Sequence, residues 1–164
     1  HESGSIEGQV LQIFADAYTP VVDSSAIPTG EIASVEGTPM DFRTEKQIGQ
    51  DIRADFEQLH FTGGYDHNYV LGRPGEKKIM ANAYCRESGI ALEAETDCCG
   101  VQFYAGNFIG EQTGKGGAAY HDRSAFCLES QFYPNAVNEP DFPSPVVKAG
   151  HTYHTETSYR FYLR

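Results

Sequence analysis

Alternation of apolar and polar positions dominates this chain. In Ile90-Ala91-Leu92-Glu93-Ala94-Glu95, Ile90, Leu92 and Ala94 fall on one face and Ala91, Glu93 and Glu95 on the other. A period of two is the signature of a half-exposed strand. The run 152–162 alternates for longer, with Tyr153, Thr155, Thr157, Tyr159 and Phe161 on one side and His154, Glu156, Ser158, Arg160 and Tyr162 on the other. Residues 10–14, 79–85, 101–104 and 125–128 have the β-branched and aromatic content of further strands. Breakers separate these runs at Gly63-Gly64, Arg73-Pro74-Gly75, Ser88-Gly89, 114–117 and 140–145. One segment departs from the alternation. Thr44-Glu45-Lys46-Gln47 has the form of a capping box, and Ile48, Ile52 and Phe56 recur every four residues. This spacing predicts one short helix near 45–57, covering the edge or end of a sheet. The prediction is an all-β fold with that single helix.

Composition narrows the picture. Seventeen glycines and eight prolines in 164 residues suit a turn-rich β protein, and the length allows one domain. Twelve basic against 23 acidic side chains give a net charge of -11, which excludes nucleic acid and anionic membranes as partners. No stretch approaches the ~18–20 apolar residues of a membrane span. The polar opening, with His1 in place of Met, has no signal-peptide pattern and reads as a processed or truncated start. Four cysteines are too few for a disulfide scaffold, and the adjacent Cys98 and Cys99 fit no C-x-x-C pattern. They read as free thiols of a reducing cytoplasm, with a strained vicinal disulfide as the alternative.

Three segments carry more polar information than a core requires. Gly63-Gly64 leads into Asp66-His67-Asn68 and then an apolar strand, a mount for a polar ligand contact or a turn in which Asp66 and Asn68 satisfy their own amides. In the aromatic strand around 101–104, Gln102 sits opposite Val101 and Phe103. Its amide both donates and accepts, which suits a sugar hydroxyl, although an outward Gln on a solvated sheet is equally consistent. Glu129 ends an apolar run, where desolvation would raise its pKa and make it a better base; a strand-end carboxylate in water is the alternative. His67, His121, His151 and His154 have no zinc spacing and read as solvated or hydrogen-bonded, so no metal is expected. The run 114–117 lacks the spacing of a phosphate loop.

At these segments the sequence resembles the aldose 1-epimerases, or galactose mutarotases. The resemblance rests on an ordered string: Ala15-Asp16-Ala17-Tyr18-Thr19-Pro20-Val21, Ile27-Pro28-Thr29-Gly30-Glu31-Ile32, Gly37-Thr38-Pro39-Met40-Asp41-Phe42-Arg43, Gly64-Tyr65-Asp66-His67-Asn68-Tyr69, Gly100-Val101-Gln102-Phe103-Tyr104-Ala105-Gly106-Asn107-Phe108 and Phe126-Cys127-Leu128-Glu129-Ser130-Gln131. The stretches Pro134-Asn135-Ala136-Val137-Asn138 and Phe142-Pro143-Ser144-Pro145-Val146 continue it.

The resemblance implies the galactose mutarotase-like β-sandwich, or supersandwich. It implies interconversion of the α and β anomers of galactose and glucose by acid-base ring opening, with no cofactor. Glu129 matches the family's general base, and Asp66 and Gln102 match residues that bind sugar hydroxyls. The family is roughly twice as long as this chain. Residues 1–164 match only the C-terminal part of its single domain, so the N-terminal half, with the catalytic acid His, becomes an expected partner. His1 does not match that acid, and His67 is the nearest candidate within the chain. Ser130 stands where the family usually has Thr, and the Cys98-Cys99 pair departs at a position where Pro often precedes the Gly. A non-catalytic carbohydrate-binding fragment is the alternative.

Overall fold

In the computed structural model, which describes residues 4–164, strands carry the architecture. His1 lies outside the described residues. In chain order the elements are β1 (Val10–Ile13), β2 (Ala17–Tyr18), β3 (Ala33–Ser34), β4 (Lys46–Gln47), α1 (Glu57–Thr62), β5 (Asp66–Val70), β6 (Lys78–Tyr84), β7 (Ile90–Thr96), β8 (Gly100–Tyr104), β9 (Gln112–Thr113), β10 (Ala119–Tyr120), β11 (Cys127–Gln131) and β12 (Thr157–Leu163). They form two five-stranded antiparallel sheets, ordered β12-β7-β6-β1-β4 and β11-β8-β5-β2-β3, and a small β9-β10 ribbon.

The two sheets pack face to face. Leu11, Ile13, Ala81, Ala83 and Ala94 of the first meet Tyr18, Tyr69, Val101, Phe103 and Leu128 of the second in one buried cluster. Small alanines face large aromatics, so the layers interdigitate. Phe103 stacks on Tyr65, with ring centroids 5.3 Å apart, and meets Phe42 edge-on at 5.5 Å. The buried hydroxyls of Tyr65 and Tyr69 donate to the carbonyls of Pro39 and Met40, each at 3.0 Å. An aromatic core is thus tied to the loop that crosses it, with both of these phenols paired.

The expected helix over 45–57 does not form. Lys46 and Gln47 pair instead with Leu11 and Val10. The Ile48 amide donates to Gln9 O and the Gly49 amide to Glu7 O, both at 2.9 Å, so the amides that a helix would have used bind a neighbouring segment. Ile48 and Ile52 are buried as their spacing required, but a series of turns delivers them to the core. The helix lies later, at Glu57–Thr62, and ends at Gly63, whose φ of 65° closes it as its N–H donates a hydrogen bond to Leu59 O. Strand limits also shift: 125–128 becomes Cys127–Gln131, and the strand within 152–162 starts at Thr157.

A substitution at Gly49 separates the two local structures by sign. In a helix interior Gly49→Ala would stabilise by ~1 kcal/mol. Here an added Cβ would come within 2.7 Å of Glu7 Cβ and 3.0 Å of Glu7 O. The variant is therefore expected to lose about 1–3 kcal/mol from this contact, read as a lower midpoint in urea; a higher midpoint would restore the helix.

Candidate active site

The site is built by register. In β5, β8 and β11, Asn68 lies opposite Gln102 and Gln102 opposite Glu129. The next row is Asp66, Tyr104 and Cys127, and the row between is His67, Phe103 and Leu128. Because successive side chains alternate, the third set faces the core and the first two face outward together. Asp66, Gln102 and Glu129 accordingly line one open cleft of about 430 Å³, with Tyr104, Phe108, Gln131, Pro134 and Ala26 around them. A larger cavity, about 720 Å³, lies elsewhere, between Ala83, Leu92, Phe126 and Phe161. It is apolar in character and belongs to an unclosed edge of the sandwich.

Local structure fixes the entry to β5. Gly63 and Gly64 both have positive φ, and a Cβ on Gly64 would sit 2.4 Å from Asn107 Oδ1. The buried Asn107 amide donates to the carbonyls of Thr62 and Tyr65, each at 3.0 Å, and so clamps the turn from which Asp66 emerges. Asp66 therefore begins a strand; it does not close an Asx turn on its own amide. Its Oδ1 accepts a 2.8 Å hydrogen bond from Gln102 Nε2. Partial burial raises the Asp66 pKa, and the bond from Gln102 opposes that rise.

Glu129 occupies the middle of β11, not its end, and its side chain is exposed. The Cys127 thiol, two residues before it on the same face, has a raised pKa, through burial first and then through the charge and hydrogen bond of Glu129 and the charge of Asp66. Phe108 forms an exposed aromatic rim, its amide donating to the Tyr104 hydroxyl at 3.0 Å. Sequence reasoning singled out Asp66, Gln102 and Glu129 but gave no place to Asn68, Tyr104 or Gln131 on this face. The period of two held that signal, since each lies two residues from one of the three.

His67 points away from the cleft into the core and is fully buried. It is hydrogen-bonded, as one of the two readings expected, with Nδ1 accepting from the Asp66 amide at 3.3 Å, while its Nε2 has no hydrogen-bond partner. The sheet separates it from Glu129, so its ring does not reach the cleft. Among the described residues no three His, Cys, Asp or Glu side chains converge to hold a metal ion, and no helix is long and apolar enough to cross a membrane. All four cysteines are free thiols.

Two packed antiparallel sheets, one bearing a polar cleft on its outer face, define a galactose mutarotase-like sandwich. The family model for aldose 1-epimerase matches residues 1–160, and the chain belongs to that family. A galactose mutarotase of Sus scrofa is 43% identical over 160 residues, spanning 97% of this chain and 45% of that protein. An aldose 1-epimerase of Escherichia coli (strain K12) is 36% identical over 163 residues, spanning 98% of this chain and 46% of that protein. The structure of a GalM/aldose epimerase homologue from C. elegans superposes with a TM-score of 0.80 at 27% identity, over 98% of this chain and 47% of that one. The chain thus spans about half the length of these relatives.

Burial lowers the His67 pKa to about 4. The unfolded chain has an ordinary value of ~6.5, so unfolding takes up a proton between these limits. The stability due to neutral His67 is full above pH ~6.5, falls as pH drops from there, and is lost by the time the folded pKa is passed, an effect on the order of 3 kcal/mol. Urea titrations of the parent chain and of His67→Gln across pH 7 to 4 should diverge, with the variant flatter. Parallel pH profiles would remove His67 as the source.

Proposed function

We propose that this chain supplies the general base and part of the sugar site of an aldose 1-epimerase, an isomerase acting on galactose and glucose. The observation that carries the reading is the placing of Asp66, Gln102 and Glu129 on one outward face, lining one cleft, in a chain of that family. Glu129 takes the proton from the anomeric hydroxyl as an acid protonates the ring oxygen. The C1–O bond of the ring breaks with its electron pair on oxygen, leaving an open-chain aldehyde. Rotation about C1–C2 presents the other carbonyl face, and the steps reverse. Only protons move, so the reaction needs no electron carrier. Asp66 and Gln102 hold hydroxyls remote from C1 so that one end of the sugar turns while the rest stays fixed.

The acid, in this reading, comes from the N-terminal half of the protein, and residues 1–164 are the C-terminal part of one domain. The open edge supports this arrangement. β11 and β12 end their sheets at the same side of the sandwich, joined by the Tyr159 hydroxyl donating to Leu128 O at 3.0 Å and by a 2.6 Å bond between Ser130 and Thr157. Beyond them Phe161 is 69% and Leu163 80% exposed, although both share the inward side of β12. Unpaired edges and apolar faces of this kind need a cover. The remaining half would provide it and close the cleft over Glu129. Free thiols support a cytoplasmic setting. One observation favours a non-catalytic carbohydrate-binding fragment instead: Glu129 stands exposed in an open cleft, where water would weaken a base.

Two measurements test the proposal. In the protein that joins this chain to its other half, Glu129→Ala is expected to lower turnover roughly 10²-fold or more, and Glu129→Gln equally, since an amide does not take the proton. Polarimetric rates within a few-fold of the parent would remove Glu129 as base. The isolated chain should leave fresh α-galactose equilibrating at the buffer rate and should self-associate, or capture the other half, in light-scattering measurements. Acceleration by the isolated chain would contradict an absent acid, and failure of the joined protein to accelerate would favour the binding fragment.

A further inference from the structure

Gln131 closes β11 on the same face as Glu129. Its Nε2 donates to Gln102 Oε1 at 3.2 Å and to Asn68 Oδ1 at 3.3 Å. Gln102 Nε2 in turn donates to Asp66 Oδ1 at 2.8 Å. The donor direction is therefore the same along the whole series, from Gln131 through Gln102 to Asp66.

The carboxylate dictates that direction. An ionised Asp accepts and never donates, so Gln102 must turn its NH2 group toward Asp66. Its carbonyl oxygen then faces Gln131 and calls for a donor there. Gln131 answers with NH2, whose second proton goes to Asn68 Oδ1. Asn68 is buried, with no partner on Nδ2, so it enters the series as an acceptor. Turned about, it would set one NH2 group against another. Gly100, opposite Gln131, gives Asn68 its room. A Cβ there would come within 2.4 Å of Asn68 Oδ1 and 3.0 Å of the Tyr133 ring.

We propose that Gln131 is a positioning residue of the sugar site: with Asn68 it locks the Gln102 amide in the one orientation that serves Asp66 and leaves one N–H and one carbonyl lone pair of Gln102 for sugar hydroxyls. The inference rests on the cleft being a sugar site. Asp66 alone holds Gln102 at one atom, about which the amide can swing. The bond from Gln131 adds the second point and fixes the plane.

Isosteric variants separate this role from packing. Gln131→Glu keeps the shape but only accepts, so it sets oxygen against oxygen at Gln102 and Asn68 and competes with Asp66 for the Gln102 protons. Gln131→Met keeps the length and removes the bond without opposing it. In the protein that joins this chain to its other half, Gln131→Glu should raise the KM for galactose about tenfold or more, with a smaller change in kcat, and Gln131→Met should raise it less. The side-chain amide resonances of Gln102, assigned by their loss in Gln102→Ala, should shift in both variants, which a packing role at Gln131 would not require. If Gln131→Glu does not fold, the KM and amide shift of Gln131→Met decide. Unchanged KM and unmoved Gln102 resonances would overturn the inference. Asp66→Asn and Gln102→Ala, measured alongside, distinguish the two levels. If they weaken galactose binding and Gln131 variants do not, the positioning role fails alone; if none of them does, the sugar site itself is wrong.

Discussion

The register of β5, β8 and β11 is the constraint on which the cleft depends. Side chains alternate along a strand, so a slip of one residue in any of these three would turn its polar set into the core and its aromatic set into solvent. The core prevents that slip. Tyr69, Val101 and Phe103 fill the interior between the sheets, and the Tyr69 hydroxyl is committed to Met40 O. Displacing one strand would strand a phenol and open voids against the alanines of the first sheet. The precision of the outer face is thus set by packing on the inner one, and the polar residues need no rigid loop to hold them.

The same sandwich that is finished at its centre is unfinished at one margin. On the β4 and β3 side, turns carrying Ile48 and Ile52 close over the core. On the β12 and β11 side, a tyrosine hydroxyl and a pair of small hydroxyl side chains hold the two edges together, and the inward face of β12 runs past them into solvent. These contacts bridge two sheet edges but do not cover them. The sheets' own geometry therefore ties the exposure of Glu129 to the exposure of the edge, since β11 is both the edge strand and the strand that carries Glu129.

Much of this was legible in the sequence, and the failures have identifiable causes. Alternation gave β7, and β-branched and aromatic content gave β1, β6 and β8, close to their limits, because these side chains fit a pleated, largely buried surface. The helix over 45–57 failed because spacing at 48, 52 and 56 reports which residues are buried and not how the backbone delivers them; Gly49 beside Glu7 was the local sign that favoured close approach of another segment. The site residues were picked out one at a time by their surroundings, but their convergence depends on pairing between strands distant in sequence, which no local pattern contains. The full burial of His67 escaped notice for the same reason. Its neighbours Asp66 and Asn68 are polar, yet alternation places it alone on the apolar side, a cost of about 3 kcal/mol in proton affinity that the fold carries.

The spacing of the two carboxylates follows from the sheet as well. Neighbouring strands lie ~4.7–4.9 Å apart, so β5 and β11, with β8 between them, are separated by roughly 10 Å. Asp66 and Glu129 sit on these outer two strands, one row out of step, with Gln102 midway. Like charges placed side by side would force one of them to hold its proton. Here the neutral amide intervenes, and the rise in the Asp66 pKa comes from burial, opposed by its bond from Gln102. In the proposed reading, a roughly 10 Å span is also wide enough for a six-membered ring to lie between the Asp66 and Glu129 carboxylates. In that reading the amide does two things at once: it stands between the two carboxylates, and it sets the floor on which a ring of that size would rest.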